Sequence, residues 1–367
     1  MHIFADISSH GFGHLAISAP VLDALAKSTP DLRLTVRSGL APEILRQRIH
    51  QEFEHIRAAS DFGYVMQDAT RIDRPASARA YRAAHAGWAA RVAGEGRLLA
   101  SRQVDRVLSN VSYLPLAGAA LNGIPALSIC SLNWADLFAH FFGGESWATP
   151  IHADMLEAYR TAWAFLRVTP GMPMKMLDNV KILDPIAASG KSHDLGLGSD
   201  RVVLVAMGGI QHRIPLENWP QQSGIRWLVP GSWHCTHPNA MALEQFGLSF
   251  TDLLCSVDAI ITKPGYGTFT EAACNGTPVL YLRRVDWPEQ ECLIAWLARN
   301  GNSREIDAEA LKRGNVQTAL EELWSKPTLP PPCADGGTQA AAMIRAAGRH
   351  PTTQISPNKY NLFPTTE

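Results

Sequence analysis

The sequence predicts an α/β protein built from two doubly wound Rossmann-like domains facing across a cleft. Three observations carry that expectation. Short apolar runs alternate with amphipathic segments from the start: Ile3 to Ile7, a helix from about Ala16 to Ser28, then a strand from Leu32 to Val36. This is the pattern of a parallel sheet whose strands are joined by helices. A second series opens at Arg201 with Val-Val-Leu-Val-Ala-Met and continues through 227–229, 259–262 and 278–282. Between the two series, Thr169-Pro-Gly-Met-Pro and 189–199 are rich in Pro, Gly and Ser, as linkers are. The expected division is a first domain over 1–168, a hinge over 169–199, a second domain over 200–349 and a polar tail over 350–367.

Composition agrees with two cores. The chain has 367 residues, of which 46% are hydrophobic and 18% charged, too apolar for extended disorder. A net charge of −1 gives no bulk attraction to nucleic acid. The six cysteines are scattered with no Cys-x-x-Cys pair, which argues against a zinc ribbon or a disulfide framework and fits a reducing cytoplasm. A strand-like run follows Met1 where a secretory signal would need a basic stretch and an apolar core. From Val107 to Ala135 there is no charge, a length that would permit a membrane span. Asn110, Pro115, Asn122, Gly123, Pro125 and Asn133 divide it instead into strand 107–109, helix 114–121 and strand 126–130, a buried βαβ unit.

Two peripheral segments complete the survey. Arg71 to Arg106 holds eight arginines against Asp73, Glu95 and Asp105, with Tyr81, His85, Trp88, Val92 and Leu99 at helical spacing. It reads as an amphipathic helix whose basic face is either solvated or meets an anionic acceptor or membrane headgroups. After the proline-rich run that follows Trp324, an alanine-rich helix is expected over 338–347.

Two glycine-rich turns carry the chemistry. Ser8-Ser-His-Gly-Phe-Gly-His14 follows the first strand and opens an apolar helix. Gly11 and Gly13 allow close backbone approach, and the helix N-terminus offers free N–H groups and a positive dipole end. His14 then sits where the carboxyl ends of parallel strands open into a crevice, suited to take a proton near neutral pH. His10, in the same loop, is the other candidate base, its alternative and favoured role being to shape the ligand site. No dinucleotide fingerprint follows.

The second turn is Asp258-Ala-Ile-Ile-Thr-Lys-Pro-Gly-Tyr-Gly-Thr-Phe-Thr-Glu271. Backbone N–H groups at Gly267 and Thr268 can hold a diphosphate, Lys263 can add positive charge, and Glu271 can accept hydrogen bonds from a ribose diol. In the following Val285-Asp-Trp-Pro-Glu-Gln290, Glu289 and Gln290 can meet sugar hydroxyls. Gln211, His212 and Arg213 are either phosphate contacts or plain surface. His234 and His237 lack metal-ligand spacing, and no Asp-x-Asp pair is present, so no metal site is expected.

Lys263-Pro-Gly-Tyr266-Gly-Thr-x-x-Glu271 followed by Gly276-Thr-Pro resembles the donor site of GT-B fold glycosyltransferases, including the family of the lipid II-forming N-acetylglucosaminyltransferase and the galactolipid synthases. Gly208-Gly209 matches their other phosphate-side loop, and Gly265 and Gly267 fall on the motif's glycines. Asp286-Trp-Pro-Glu-Gln290 is similar to the end of the plant secondary-product transferase signature. Gly-Phe-Gly-His14, Asp61 to Asp73, Asn133-Trp134 and the Lys263 motif together look like the glycosyltransferase-like region of plant arabinokinases. The resemblance spans about residues 3 to 300.

The resemblance implies an inverting, metal-independent transferase. It would move sugar from a nucleotide-sugar co-substrate, UDP-linked, to a small-molecule or lipid-linked acceptor, with no further cofactor and with Asn133 and Trp134 on the acceptor side. One departure concerns the base: many relatives place an aspartate after the fourth strand, and Asn110 stands here. An amide orients an imidazole without balancing imidazolium charge. A histidine also stands in the plant enzymes where Lys263 is found. A nucleotide-sugar hydrolase or epimerase, and a non-catalytic nucleotide-sugar-binding module, are the alternatives on the same fold.

Overall fold

The computed structural model describes residues 1–210, 212–221 and 223–348. Gln211 and the expected polar tail lie outside the described residues. The chain divides into two compact units: Met1–Val65 with Ile72–Asp184 and the segment from Asp335 onward, and Met66–Arg71 with Pro185–Ala334.

The first unit runs β1 (His2–Ile7), α1 (Phe12–Ser28), β2 (Arg33–Arg37), α2 (Pro42–Arg46), β3 (Glu54–Ile56), α3 (Arg74–His85), α4 (Trp88–Ser101), β4 (Arg106–Asn110), α5 (Leu114–Leu121), β5 (Ala126–Cys130), α6 (Trp134–Phe142), α7 (Ala148–Arg160), β6 (Ala164–Val168) and β7 (Val180–Leu183). Its seven parallel strands lie in the order β3-β2-β1-β4-β5-β6-β7. All six residues of β1 and all five of β5 are buried, as strands covered on both faces must be. The charge-free stretch is the expected βαβ unit, β4-α5-β5. Among the described residues no helix is long and apolar enough to cross a membrane.

The second unit runs β8 (Arg201–Val205), β9 (Ile225–Val229), β10 (Ala240–Ala242), α8 (Phe250–Ser256), β11 (Ala259–Thr262), α9 (Tyr266–Cys274), β12 (Val279–Leu282), α10 (Glu289–Asn300), β13 (Ser303–Ile306), α11 (Ala308–Arg313) and α12 (Gln317–Trp324). Six parallel strands are ordered β10-β9-β8-β11-β12-β13. Val203, Val205, Trp227 and Ile261 belong to one core cluster, with Trp219 meeting Trp227 edge to face.

The boundaries differ from the expectation in three places. Part of the expected hinge is β7, an edge strand with Lys181 and Ile182 exposed, and the unit boundary falls between Asp184 and Pro185. β7 is a four-residue edge strand, Val-Lys-Ile-Leu, interrupted by a lysine and set among turn formers, so its short apolar run reads as linker. The C-terminal helix α13 (Gly336–Ala346) belongs to the first unit, against α1. A Cβ on Gly337 would come within 3.3 Å of the Pro20 carbonyl oxygen, so small residues set that close approach. Finally, Met66–Arg71 joins the second unit, with Ala69 fully buried in its core and the Val285 N–H donating to the Thr70 carbonyl at 3.0 Å.

The arginine-rich segment forms α3 and α4 rather than one helix, and its arginines are largely engaged. Arg74 donates to the Phe141 carbonyl, Arg82 lies over Trp147, Arg91 donates to Ala84 and Ser60, Arg102 pairs with Glu54, and Arg106 donates to Ala347. Of these, Arg102 meets a carboxylate, while the carbonyl and ring partners hold the others in place without cancelling their charge.

Candidate functional site

Strand order places the first constellation. The sheet reverses winding between β1 and β4, so the loops leaving these strands diverge and leave a crevice at their carboxyl ends. His14 follows β1 and Asn110 ends β4, where Ile7 and Asn110 are register partners. Helix α1 begins at Phe12, four residues earlier than expected, with Gly11 as its N-cap. His14 is therefore in the first helical turn, 7% exposed, rather than on a mobile loop.

The hydrogen bonds of Asn110 fix the state of His14. Asn110 Nδ2 donates to the His14 carbonyl at 2.9 Å and to Ser18 Oγ at 3.0 Å. A carbonyl only accepts, so the amide NH2 must face it, and Oδ1 is left facing His14 Nδ1 at 2.9 Å. Nδ1 therefore carries a proton, and in the neutral ring the lone pair is on Nε2. Cys130 Sγ also approaches Nδ1, at 3.7 Å.

His10 is held differently. The Tyr64 N–H donates to its Nδ1 at 3.4 Å, which makes that nitrogen the acceptor. Gly63, at φ +59°, has no room for a side chain, because a Cβ would sit 2.7 Å from the His10 ring. Trp134 meets both imidazoles edge-on, with centroids 5.3 Å from His10 and 5.7 Å from His14.

Asn133 and Trp134, expected on the acceptor side, are each 0% exposed, so they pack inside the unit rather than present a surface. Asn133 Oδ1 caps α6 by accepting from the Asp136 N–H at 2.7 Å. Trp134 is pinned by its indole N–H, which donates to Asp61 at 2.6 Å, and by its backbone N–H, which donates to Tyr159. Asp61 also accepts from Ser8 Oγ at 2.9 Å. Burial and the neighbouring Asp6 charge push its carboxyl up to about 7, against the pull of those two hydrogen bonds. Asp6 is in turn bound to Arg37, which also holds Glu95 through both terminal nitrogens. Sequence reading quoted Ser8, Asp61 and Trp134 within its motifs but gave Asp6, Arg37 and Glu95 no role: these three are spread from residue 6 to residue 95 without a motif.

The second constellation obeys the same rule. The six-stranded sheet reverses winding between β8 and β11, and the two glycine turns follow these two strands. Lys263 Nζ lies where they meet: a Cβ on Gly208 would be 3.6 Å from it, and a Cβ on Gly265 3.4 Å. Gly209 is exposed beside Gly208, and Gly265 is the N-cap of α9, so Gly267 and Thr268 lie in its first turn with unsatisfied N–H groups. Lys263 is pushed down to about 7 by burial and by Arg284, with Glu289 acting the other way. His212 is lowered by burial despite Asp68, which lies 3.8 Å from its Nδ1. Arg213 is engaged with Glu217 and the Trp233 carbonyl.

Several expected donor contacts have other partners. Tyr266 is buried, and its hydroxyl accepts from the Ile186 N–H at 2.9 Å, so its ring is part of the core. Gln290 clamps the main chain of Arg284: Oε1 accepts from its N–H at 2.9 Å and Nε2 donates to its carbonyl at 3.1 Å. Glu289 accepts from the Trp287 indole at 3.0 Å. Glu271 is enclosed on α9, 1% exposed, close enough to Cys255 and Cys274 to help raise both thiols. Among the described residues no three His, Cys, Asp or Glu side chains gather as metal ligands do.

No family model matches the chain. Along 94% of its length it is 25% identical to an L-arabinokinase of Arabidopsis thaliana and covers 34% of that protein. It is 24% identical over 205 residues to the UDP-N-acetylglucosamine–N-acetylmuramyl-(pentapeptide) pyrophosphoryl-undecaprenol N-acetylglucosamine transferase of Gloeothece citriformis, covering 51% of this chain and 53% of that one. The chain thus spans about a third and about half of these curated relatives. The crystal structure of the calicheamicin glycosyltransferase superposes with a TM-score of 0.60 at 16% identity, covering 99% of both chains. The fold is GT-B. In this GT-B chain each unit is one parallel-sheet half, and each half sets its glycine turns at its own winding reversal. Arg284 is the residue of the second constellation that sequence reading missed, because it stands beside an ordinary surface arginine with no pattern to separate the two.

Proposed function

We propose that this GT-B chain is an inverting glycosyltransferase that moves a sugar from a nucleoside-diphosphate sugar, UDP-linked, to an acceptor hydroxyl without a metal ion. The observation that carries this reading is the His14–Asn110 pair, which leaves the lone pair of an imidazole on Nε2 at the winding reversal of the first sheet. Nε2 takes the hydroxyl proton as the acceptor oxygen attacks the anomeric carbon. The bond from that carbon to the diphosphate breaks, and the displaced nucleoside diphosphate is stabilised on the second unit by Lys263 and the N–H groups of Gly267 and Thr268. Attack opposite the leaving group inverts the anomer. Asn110 fixes the tautomer but brings no negative charge, so imidazolium is less stabilised than beside an aspartate, which lowers the base strength and favours an acidified acceptor hydroxyl.

Incubation with a panel of UDP-, dTDP- and GDP-sugars, with and without alcohol acceptors, tests the proposal by NMR of the new anomeric proton. Transfer with inversion supports it. Release of free sugar into water at the same rate with or without acceptor would assign the chain to nucleotide-sugar hydrolysis. Binding without turnover on any acceptor would make it a binding module.

A further inference from the structure

Two consecutive arginines after β12 have opposite fates. Arg283 is solvent-facing and paired with both Glu291 and Glu305. Arg284 turns inward and is only 7% exposed. Its Nε and Nη2 atoms are buried with no hydrogen-bond partner among the described residues. Burying a guanidinium without satisfying it carries a large desolvation cost, so such an arrangement persists where a ligand supplies the missing acceptor.

The surroundings hold it in place and choose its ligand. The guanidinium lies over the Trp287 ring, 3.7 Å from the centroid, and Gln290 grips its backbone from both sides. It is close enough to Lys263 to be the principal charge acting on that amine, and Lys263 stands between the Gly208 and Gly265 turns. Glu289 and Asp68 act on Arg284 as negative charges. Lys263 at the turn before α9, and Arg284, whose charge acts on it, together suit an oxyanion with more than one negative charge. The Nε–Nη2 edge of a guanidinium binds two oxygens of one such group at once.

We propose that Arg284 is the ligand of the terminal phosphate of the nucleoside diphosphate, gripping two of its oxygens through Nε and Nη2 beside Lys263. This rests on the donor-site reading above and adds to it a residue outside the glycine motif. Arg284 then selects the diphosphate over the monophosphate, because only the diphosphate reaches it, and it faces the phosphate that leaves with the nucleotide. The cost of its burial is a strain on the unliganded protein that binding relieves.

Isothermal titration of the full chain with UDP, dTDP, GDP and ADP, and with the monophosphate of whichever binds, tests this. The wild type should prefer the diphosphate by about tenfold or more, and Arg284→Met should weaken diphosphate binding about 10- to 100-fold while leaving the monophosphate unchanged. Arg284→Lys should recover part of the loss, since an ammonium supplies the charge without the two-point grip. The melting temperature of Arg284→Met should match or exceed the wild type, which shows the variant folded. Equal diphosphate binding by wild type and Arg284→Met overturns the role of Arg284 alone. A wild type that binds none of the four nucleotides overturns the donor-site reading and this inference with it.

Discussion

Replacing Asn110 by Ala removes three hydrogen bonds at once: the one accepted from His14 Nδ1, and those donated to the His14 carbonyl and to Ser18 Oγ, all between 2.9 and 3.0 Å. Asn110 is 0% exposed, so its freed partners gain no water in return. At about 0.5–1.5 kcal/mol per bond, with buried groups left behind, the loss of stability should be about 2–4 kcal/mol. The sharper consequence concerns a proton. Without Oδ1 opposite Nδ1, the Nδ1–H form loses its oxygen acceptor, with Cys130 Sγ still 3.7 Å away, and the ring protonates more readily at Nε2, the atom assigned as base. Nitrogen NMR of histidine-labelled protein separates the two forms. The wild type should show His14 protonated at Nδ1, and Asn110→Ala should shift it toward Nε2–H and lower turnover by about 10- to 100-fold, short of removing the base altogether. Asn110→Asp keeps an acceptor opposite Nδ1 and should keep the tautomer while losing both donated bonds. A wild-type His14 carrying its proton on Nε2 would refute the reasoning.

His14→Ala should cut turnover by about 10²–10⁴ with little change in nucleotide affinity, and activity should persist in EDTA; near-normal turnover would move the base to His10 or to no histidine, and activity lost in EDTA and restored by magnesium would overturn the metal-free route. Glu271→Ala should weaken nucleotide binding by about 1.5–3 kcal/mol if its carboxylate receives the ribose hydroxyls, and unchanged binding in calorimetry removes that role. Asp61 and Lys263 should give opposite pH signatures in thermal melts. Asp61 has its carboxyl raised from 3.8 to about 7, so between those values the folded chain binds more protons than the unfolded, and stability falls as pH rises through that window. Lys263 is lowered from 10.5 to about 7, so above pH 7 the unfolded chain binds more protons and stability rises toward 10.5. Asp61→Asn should flatten the first slope and Lys263→Met the second; a profile unchanged in either variant contradicts that assignment.

The sequence by itself determined the local units: the alternation of strands and helices, the two glycine turns, and the charge-free stretch as βαβ in place of a membrane span. These follow from short-range physics, namely the period of apolar residues, the backbone freedom of glycine, and the breaks imposed by Pro and Asn. Only the tertiary structure decided which strands are neighbours. His14 and Asn110 are 96 positions apart and meet because β1 and β4 flank the winding reversal. Lys263 meets the Gly208 turn because β8 and β11 do the same in the second sheet. The return of α13 to the first unit, the transfer of Met66–Arg71 to the second and the inward turn of Arg284 left no local mark. Each depends on close packing or on a buried charge whose neighbours come from distant parts of the chain. A composition or a period cannot encode those neighbours, whereas the order of strands in a sheet does.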